Sequence, residues 1–88
     1  MKLDELYMRG SRGIGVKFIQ MVVNEYTEIE LVIDGIWGIK TEEGVRSYQE
    51  LNNLLVDGKV GVETFPAMAE DYPGLWARTE VMYSMGKW

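Results

Sequence analysis

Apolar residues recur at helical spacing in three stretches of the chain, each bounded by turn-forming residues. Val16, Ile19, Val23 and Tyr26 share one face of a predicted helix from about Gly15 to Tyr26. Val45, Tyr48, Leu51 and Leu55 do the same for a second helix, from Thr41 to about Leu54. Its Gly44 costs about 1 kcal/mol relative to Ala unless another backbone must approach closely there. Phe65, Met68 and Tyr72 mark a short third helix, Thr64 to about Asp71. A broader pattern, Leu75, Val81, Met82 and Met85, predicts a fourth from about Leu75 to Met85. Two apolar runs, "LVID" (Leu31 to Asp34) and "LLVD" (Leu54 to Asp57), break the helical period and read as short extended segments that bury. "GSRG" (Gly10 to Gly13) reads as a further turn. The expected fold class is all-α.

Both apolar runs lead into the same octet. Asp34 to Thr41 reads "DGIWGIKT", and Asp57 to Thr64 reads "DGKVGVET". Asp-Gly is a turn dipeptide: the Asp carboxylate can accept from nearby backbone N–H groups, and Gly adopts positive φ without a Cβ clash. The second Gly lets the chain turn again at close quarters. The closing Thr is a candidate N-cap, followed in one copy by Glu42 and Glu43, which suit a helix N-terminus, and in the other by Phe65-Pro66, since Pro is tolerated in a first turn. The helices echo each other as well, "VKFIQ" (Val16 to Gln20) against "VRSYQ" (Val45 to Gln49). Gln20 and Gln49 are expected to satisfy backbone groups at the turns. Trp37 is expected in the core, because its counterpart Val60 is an ordinary apolar filler.

At 88 residues the chain is read as one small domain, 1–88, with a repeat-bearing core at 10–70 and an aromatic C-terminal extension at 71–88. A domain of this size has a thin core. It has no Cys and no His, which removes disulfides, thiolate or imidazole metal sites and a neutral-pH proton shuttle. The net charge of −5 and basic residues scattered along the sequence argue against nucleic-acid binding. No run approaches a membrane span, and Asp4 and Glu5 fall where a signal peptide would need apolar residues. Ser11, Ser47 and Ser84 have no His to act as base. Asp34 and Asp57 are explained as turn formers before they are explained as a glycosidase pair. The first octet offers too few oxygen ligands for calcium. No catalysis, cofactor or metal is expected.

Taken in order, these residues resemble the peptidoglycan-binding-like domains of bacterial and phage cell-wall hydrolases. The resemblance rests on Gly13, Val16, Ile19-Gln20, Asp34-Gly35-Ile36-Trp37-Gly38, Thr41, Val45, Tyr48-Gln49, Leu55, Asp57-Gly58-Lys59-Val60-Gly61 and Thr64, and covers about residues 10 to 70. It implies a compact three-helix module, non-catalytic and with peptidoglycan as its partner, serving a phage or bacterial wall-lytic system. Two departures stand out: these 88 residues hold the module without a catalytic domain, and the tail from Tyr72 to Trp88 is long and aromatic. Synthesis in the cytoplasm is expected, with access to the wall by lysis or as part of a larger protein.

Arg46, Tyr48, Gln49 and Asn52, on or beside the second helix, are the candidate ligand groove, where aromatic faces stack on sugars and amides bond hydroxyls. Trp76, Tyr83 and Trp88 are candidate partner-binding residues, since exposed aromatic and Met-rich patches mark interfaces. They carry the alternative reading: a protein–protein interaction protein, such as a phage-encoded adaptor or inhibitor, that keeps the fold and docks through its tail.

Overall fold

A computed structural model describes residues 6–72. Among them are three helices in chain order: α1 (Ile14–Tyr26), α2 (Ile39–Leu51) and α3 (Thr64–Asp71). There is no regular strand among these residues; two isolated antiparallel bridges, Tyr7 with Val60 and Arg12 with Ile36, take that place. The architecture is all-α.

The helix α1 is the centre of the fold. Beyond the expected stripe of Val16, Ile19 and Val23, Phe18 and Val22 are also fully buried, so it is enclosed on most of its circumference. Phe18 stacks on Phe65 of α3, with ring centroids 5.5 Å apart, and the edge of Tyr7 meets Phe65 at 5.2 Å. Val45 and Tyr48 of α2, Met68 of α3, and Val60 complete the core. Trp37 is buried there too, with 4% exposure.

The helix Gly44 has a packing reason. A Cβ at that position would stand 2.6 Å from Cγ1 of Val23, which is fully buried and too short to swing aside. The propensity cost of Gly, about 1 kcal/mol, is offset by the close α1–α2 approach that it permits.

Several expected core positions lie at the surface instead. Leu51 is 63% and Leu55 69% exposed, because α2 stops at Leu51 and not at Leu54. Asn52 caps the helix, Asn53 takes the left-handed φ of 56°, and the Leu54 N–H closes back on the Gln49 carbonyl at 2.8 Å. That reversal swings Leu54 inward and Leu55 outward. Tyr26, at the end of α1, is 41% exposed; its hydroxyl donates to the Asp71 carbonyl at 2.6 Å and its ring meets Tyr72 edge-on. The apolar runs do not bury as wholes. Leu31 is buried, clamped by Asn24, which accepts from its N–H at 2.7 Å and donates to its carbonyl at 2.9 Å. Val32 and Ile33 beside it are exposed, as are Leu55 and Val56 in the second run. The expected fourth helix, Leu75 to Met85, lies outside the described residues.

Candidate functional site

The two octets are built as copies, and a buried glutamine organises each. Gln20 Oε1 accepts from the Gly35 N–H at 3.0 Å, and Gln49 Oε1 from the Gly58 N–H at 3.0 Å. The Gln20 amide nitrogen donates to Asp34 Oδ1 at 3.1 Å, the Ile36 carbonyl at 3.1 Å and Thr41 Oγ1 at 3.3 Å. The Gln49 amide nitrogen donates to the same three groups in the second copy: Asp57 Oδ1 at 2.9 Å, the Lys59 carbonyl at 2.7 Å and Thr64 Oγ1 at 3.1 Å. Two amide hydrogens thus serve three acceptors. The opposite amide orientation would face the nitrogen to a backbone N–H and the oxygen to three oxygens, so the environment dictates it.

Around this amide the rest of the turn falls into place. Asp34 Oδ1 also accepts from the Ile36 N–H at 3.0 Å, and Asp57 Oδ1 from the Lys59 N–H at 2.9 Å. Gly35 and Gly58 hold φ of 73° and 71°. A Cβ on Gly58 would also lie 3.0 Å from Arg46 Nε, and one on Gly35 would lie 3.2 Å from Lys17 Cγ. The basic residue three positions before each Gln therefore roofs its turn. The closing Thr is not an N-cap. Helix α2 begins at Ile39 after Gly38, whose carbonyl accepts from the Glu42 N–H at 3.2 Å, and Phe65 closes on Gly61 likewise at 2.9 Å. Thr41 and Thr64 sit inside the first turn, where their hydroxyls can meet the Gln amide. Neither second glycine has a positive φ.

These contacts settle the chemistry of the two carboxylates. The Ile36 N–H and the Gln20 amide hold Asp34 below its ordinary value of 3.8. For Asp57, burial pushes upward, but the Lys59 N–H and the Gln49 amide prevail and the net shift is also downward from 3.8. A glycosidic general acid needs a raised pKa. Among the described residues, no group of His, Cys, Asp or Glu side chains is arranged to hold a metal ion. No helix among them is long and apolar enough to cross a membrane.

The candidate ligand residues do not converge. Gln49 is fully buried and its amide is committed to the turn, so it is a frame residue, not a ligand contact. Tyr48 is also fully buried, with its hydroxyl donating to Asp71 Oδ2 at 2.6 Å, so its ring has no face for a sugar. Burial, followed by that carboxylate, pushes its phenol pKa well up. Arg46 is exposed and sits beside Glu42 at 3.8 Å. Asn52 is exposed at the helix end, donating to the Tyr48 carbonyl at 2.9 Å. Six residues at 100° each place it about 120° from Arg46 around the axis. Trp76, Tyr83 and Trp88 lie outside the described residues.

Sequence reasoning missed a pair of hollows that the repeat creates, one beside each octet. The first, about 210 Å³, is lined by Val32, Asp34, Ile36, Gly38, Lys40 and Thr41 among others. The second, about 280 Å³, is lined by the counterparts Leu55, Asp57, Lys59, Gly61, Glu63 and Thr64, with Leu6 and Val62. Val32, Leu55, Val62 and Ile39 are 69–77% exposed, an unusual degree for such side chains. The signal for the hollows was the 23-residue offset between the octets (57 − 34), applied to surface positions as well as turn residues.

Replacing Gln49 by Met keeps the volume but strands the Gly58 N–H, the Lys59 carbonyl and the Thr64 hydroxyl. At about 1–3 kcal/mol per stranded buried group, a loss of at least about 2 kcal/mol is expected. Thermal melts should show Q49M more than about 10 °C below the parent, and R46A, a surface change, within a few degrees of it. The paired carboxylates predict an acid limb. Because both folded-state pKa values are depressed, the unfolded chain binds more protons in that window. Their contribution is therefore complete above the ordinary carboxylate range and is lost as pH falls through the folded values. Melts from pH 7 down to about pH 2.5 should show a decline that a D34N/D57N variant shares less.

A family model described as "Putative peptidoglycan binding domain" matches residues 12–68, well over half of the chain. No curated protein matches it. The matched span begins at the bridge residue Arg12 and closes at the core residue Met68, taking in both glutamines and both octets. The chain belongs to the peptidoglycan-binding domain family.

Proposed function

We propose that this chain is a non-catalytic module that recognises bacterial peptidoglycan, serving a phage or bacterial wall-lytic system, with residues 1–88 acting as one domain. Family membership over residues 12–68 is the observation that carries the reading. The geometry supports it in one respect. Two small hollows of like construction, each lined by apolar side chains, one lysine (Lys40, Lys59) and two carboxylates (Glu30 and Asp34; Asp57 and Glu63), suit a polymer whose repeating units carry methyl and amide groups. Arg46 and Asn52 remain exposed candidates for contact outside the hollows.

Co-sedimentation with purified sacculi tests this directly. The parent chain should pellet saturably, while a control protein of similar size and charge stays in solution. An I39D/V62D variant, altered only at exposed positions, should remain folded by circular dichroism and lose at least about tenfold in affinity. A parent chain that stays in the supernatant would overturn the proposal and turn the search to a protein partner for Trp76, Tyr83 and Trp88.

A further inference from the structure

The basic residues are scattered in the sequence, but the fold gathers them. Six side chains among the described residues are cationic: Arg9, Arg12, Lys17, Lys40, Arg46 and Lys59. All six border the two octets. The main chain of Arg12 bridges to Ile36, Lys17 roofs Gly35, and Lys40 lines the first hollow beside Asp34. Arg46 roofs Gly58, and Lys59 follows it. Arg9 donates to Glu42 Oε1 at 3.2 Å, the carboxylate that Arg46 also approaches.

One surface results, because the segment from Tyr7 to Gly13 runs between the octets. It pairs with Val60 at one end, and at the other the Gly13 N–H donates to the Gly35 carbonyl at 2.8 Å. Carboxylates stand among these cations. Asp34 and Asp57 are tied to their turns but keep their charge, and Glu42 is shared by two arginines. Glu30 and Glu63 lie at the outer hollows and Glu43 is exposed near the start of α2, so this end is close to neutral. The other end is acidic. Twelve steps along α1 from Gly13, about 18 Å at 1.5 Å per residue, lies Glu25, with Glu28 just past the helix end, and the Tyr26 hydroxyl reaches the Asp71 carbonyl there.

Holding the turns does not account for all of these cations. Arg12 and Lys59 are exposed and form no ion pair among the described residues. A chain of net charge −5 that gathers its cations at one near-neutral end, opposite an acidic one, is oriented by an anionic surface with the cation-bearing end first. We infer that this end faces the wall, and that Arg12 and Lys59 contact free carboxylates of the peptidoglycan stem peptides. The inference rests on the proposed wall-binding function. A guanidinium fork and an ammonium are the side chains that take carboxylates, and the acidic end is turned away by the same charges.

Sacculi stripped of phosphodiester-linked polymers with hydrofluoric acid isolate the carboxylates, and amidating half of the preparation with carbodiimide and ethanolamine removes them. The full chain should bind the stripped sacculi, and at least about fivefold less well once they are amidated or the salt is raised from about 0.05 to about 0.5 M. An R12E/K59E variant, folded by circular dichroism, should lose a similar factor on unmodified stripped sacculi, while E28K at the acidic end should not. Equal binding to amidated and unmodified sacculi, with R12E/K59E unimpaired, would overturn the inference and leave wall binding intact. Binding only before stripping would assign the cations to wall phosphates and overturn the carboxylate assignment. Failure to bind any sacculi would refute the function on which the inference rests.

Discussion

Each Asp-Gly turn hangs on one buried side-chain amide, and the helix packing depends on those turns. Each turn has a buried backbone N–H and hydroxyl to satisfy, each costing about 1–3 kcal/mol if left alone, and a half-buried carbonyl and an exposed carboxylate beside them. Gln20 and Gln49 answer all four groups at once in their own copies. Asn is a methylene shorter, and Glu, when ionised, has no hydrogens for three acceptors. The glutamine comes from the preceding helix, and the threonine it meets lies in the first turn of the next. The amide therefore ties two successive helices through the turn between them. In a domain whose thin core carries no disulfide, that polar tie adds to apolar packing in fixing the helix geometry.

The sequence disclosed this frame to an uneven degree. The spacing of Val16, Ile19 and Val23, of Val45 and Tyr48, and of Phe65 and Met68 located the three helices, because burial follows period when a helix is packed along its length. The same rule failed at Leu51, Leu55 and Tyr26, where the helices run out. There the chain direction, set by Asn53 in the left-handed region, decides which side chain turns inward. The repeated octet pointed to the turns, but the role of Thr was misjudged, because a cap and a partner for a distant Gln look identical in sequence. Tyr48 and Gln49 show the converse. Their polar tips suggested a ligand groove, whereas those tips have internal partners in Asp71 and the second octet. Such pairings join residues far apart in the chain, and no local pattern announces them.

What the frame leaves free is its outer surface. The repeat keeps the turn residues, Asp, Gly, Gly and Thr, and lets the others diverge, Trp37 against Val60 in the core as well as positions at the surface. Ile36 stands where Lys59 does in the other copy, and Lys40 where Glu63 does. The two hollows therefore share walls and carry the same charges, one lysine and two carboxylates each, at different positions. A module built this way can keep its fold while its surface varies, and the family to which the chain belongs is one of peptidoglycan-binding domains.

Amide hydrogen exchange by NMR at Gly35 and Gly58 tests the glutamine tie most directly, since their N–H groups are held by Gln20 and Gln49 alone in turns that are otherwise surface loops. Both amides should exchange no faster than those of the buried α1 residues Val22 and Val23, within about tenfold, because releasing either requires the fold to open globally. Exchange at Gly35 and Gly58 orders of magnitude faster than in α1 would show that the turns open on their own and would contradict the account.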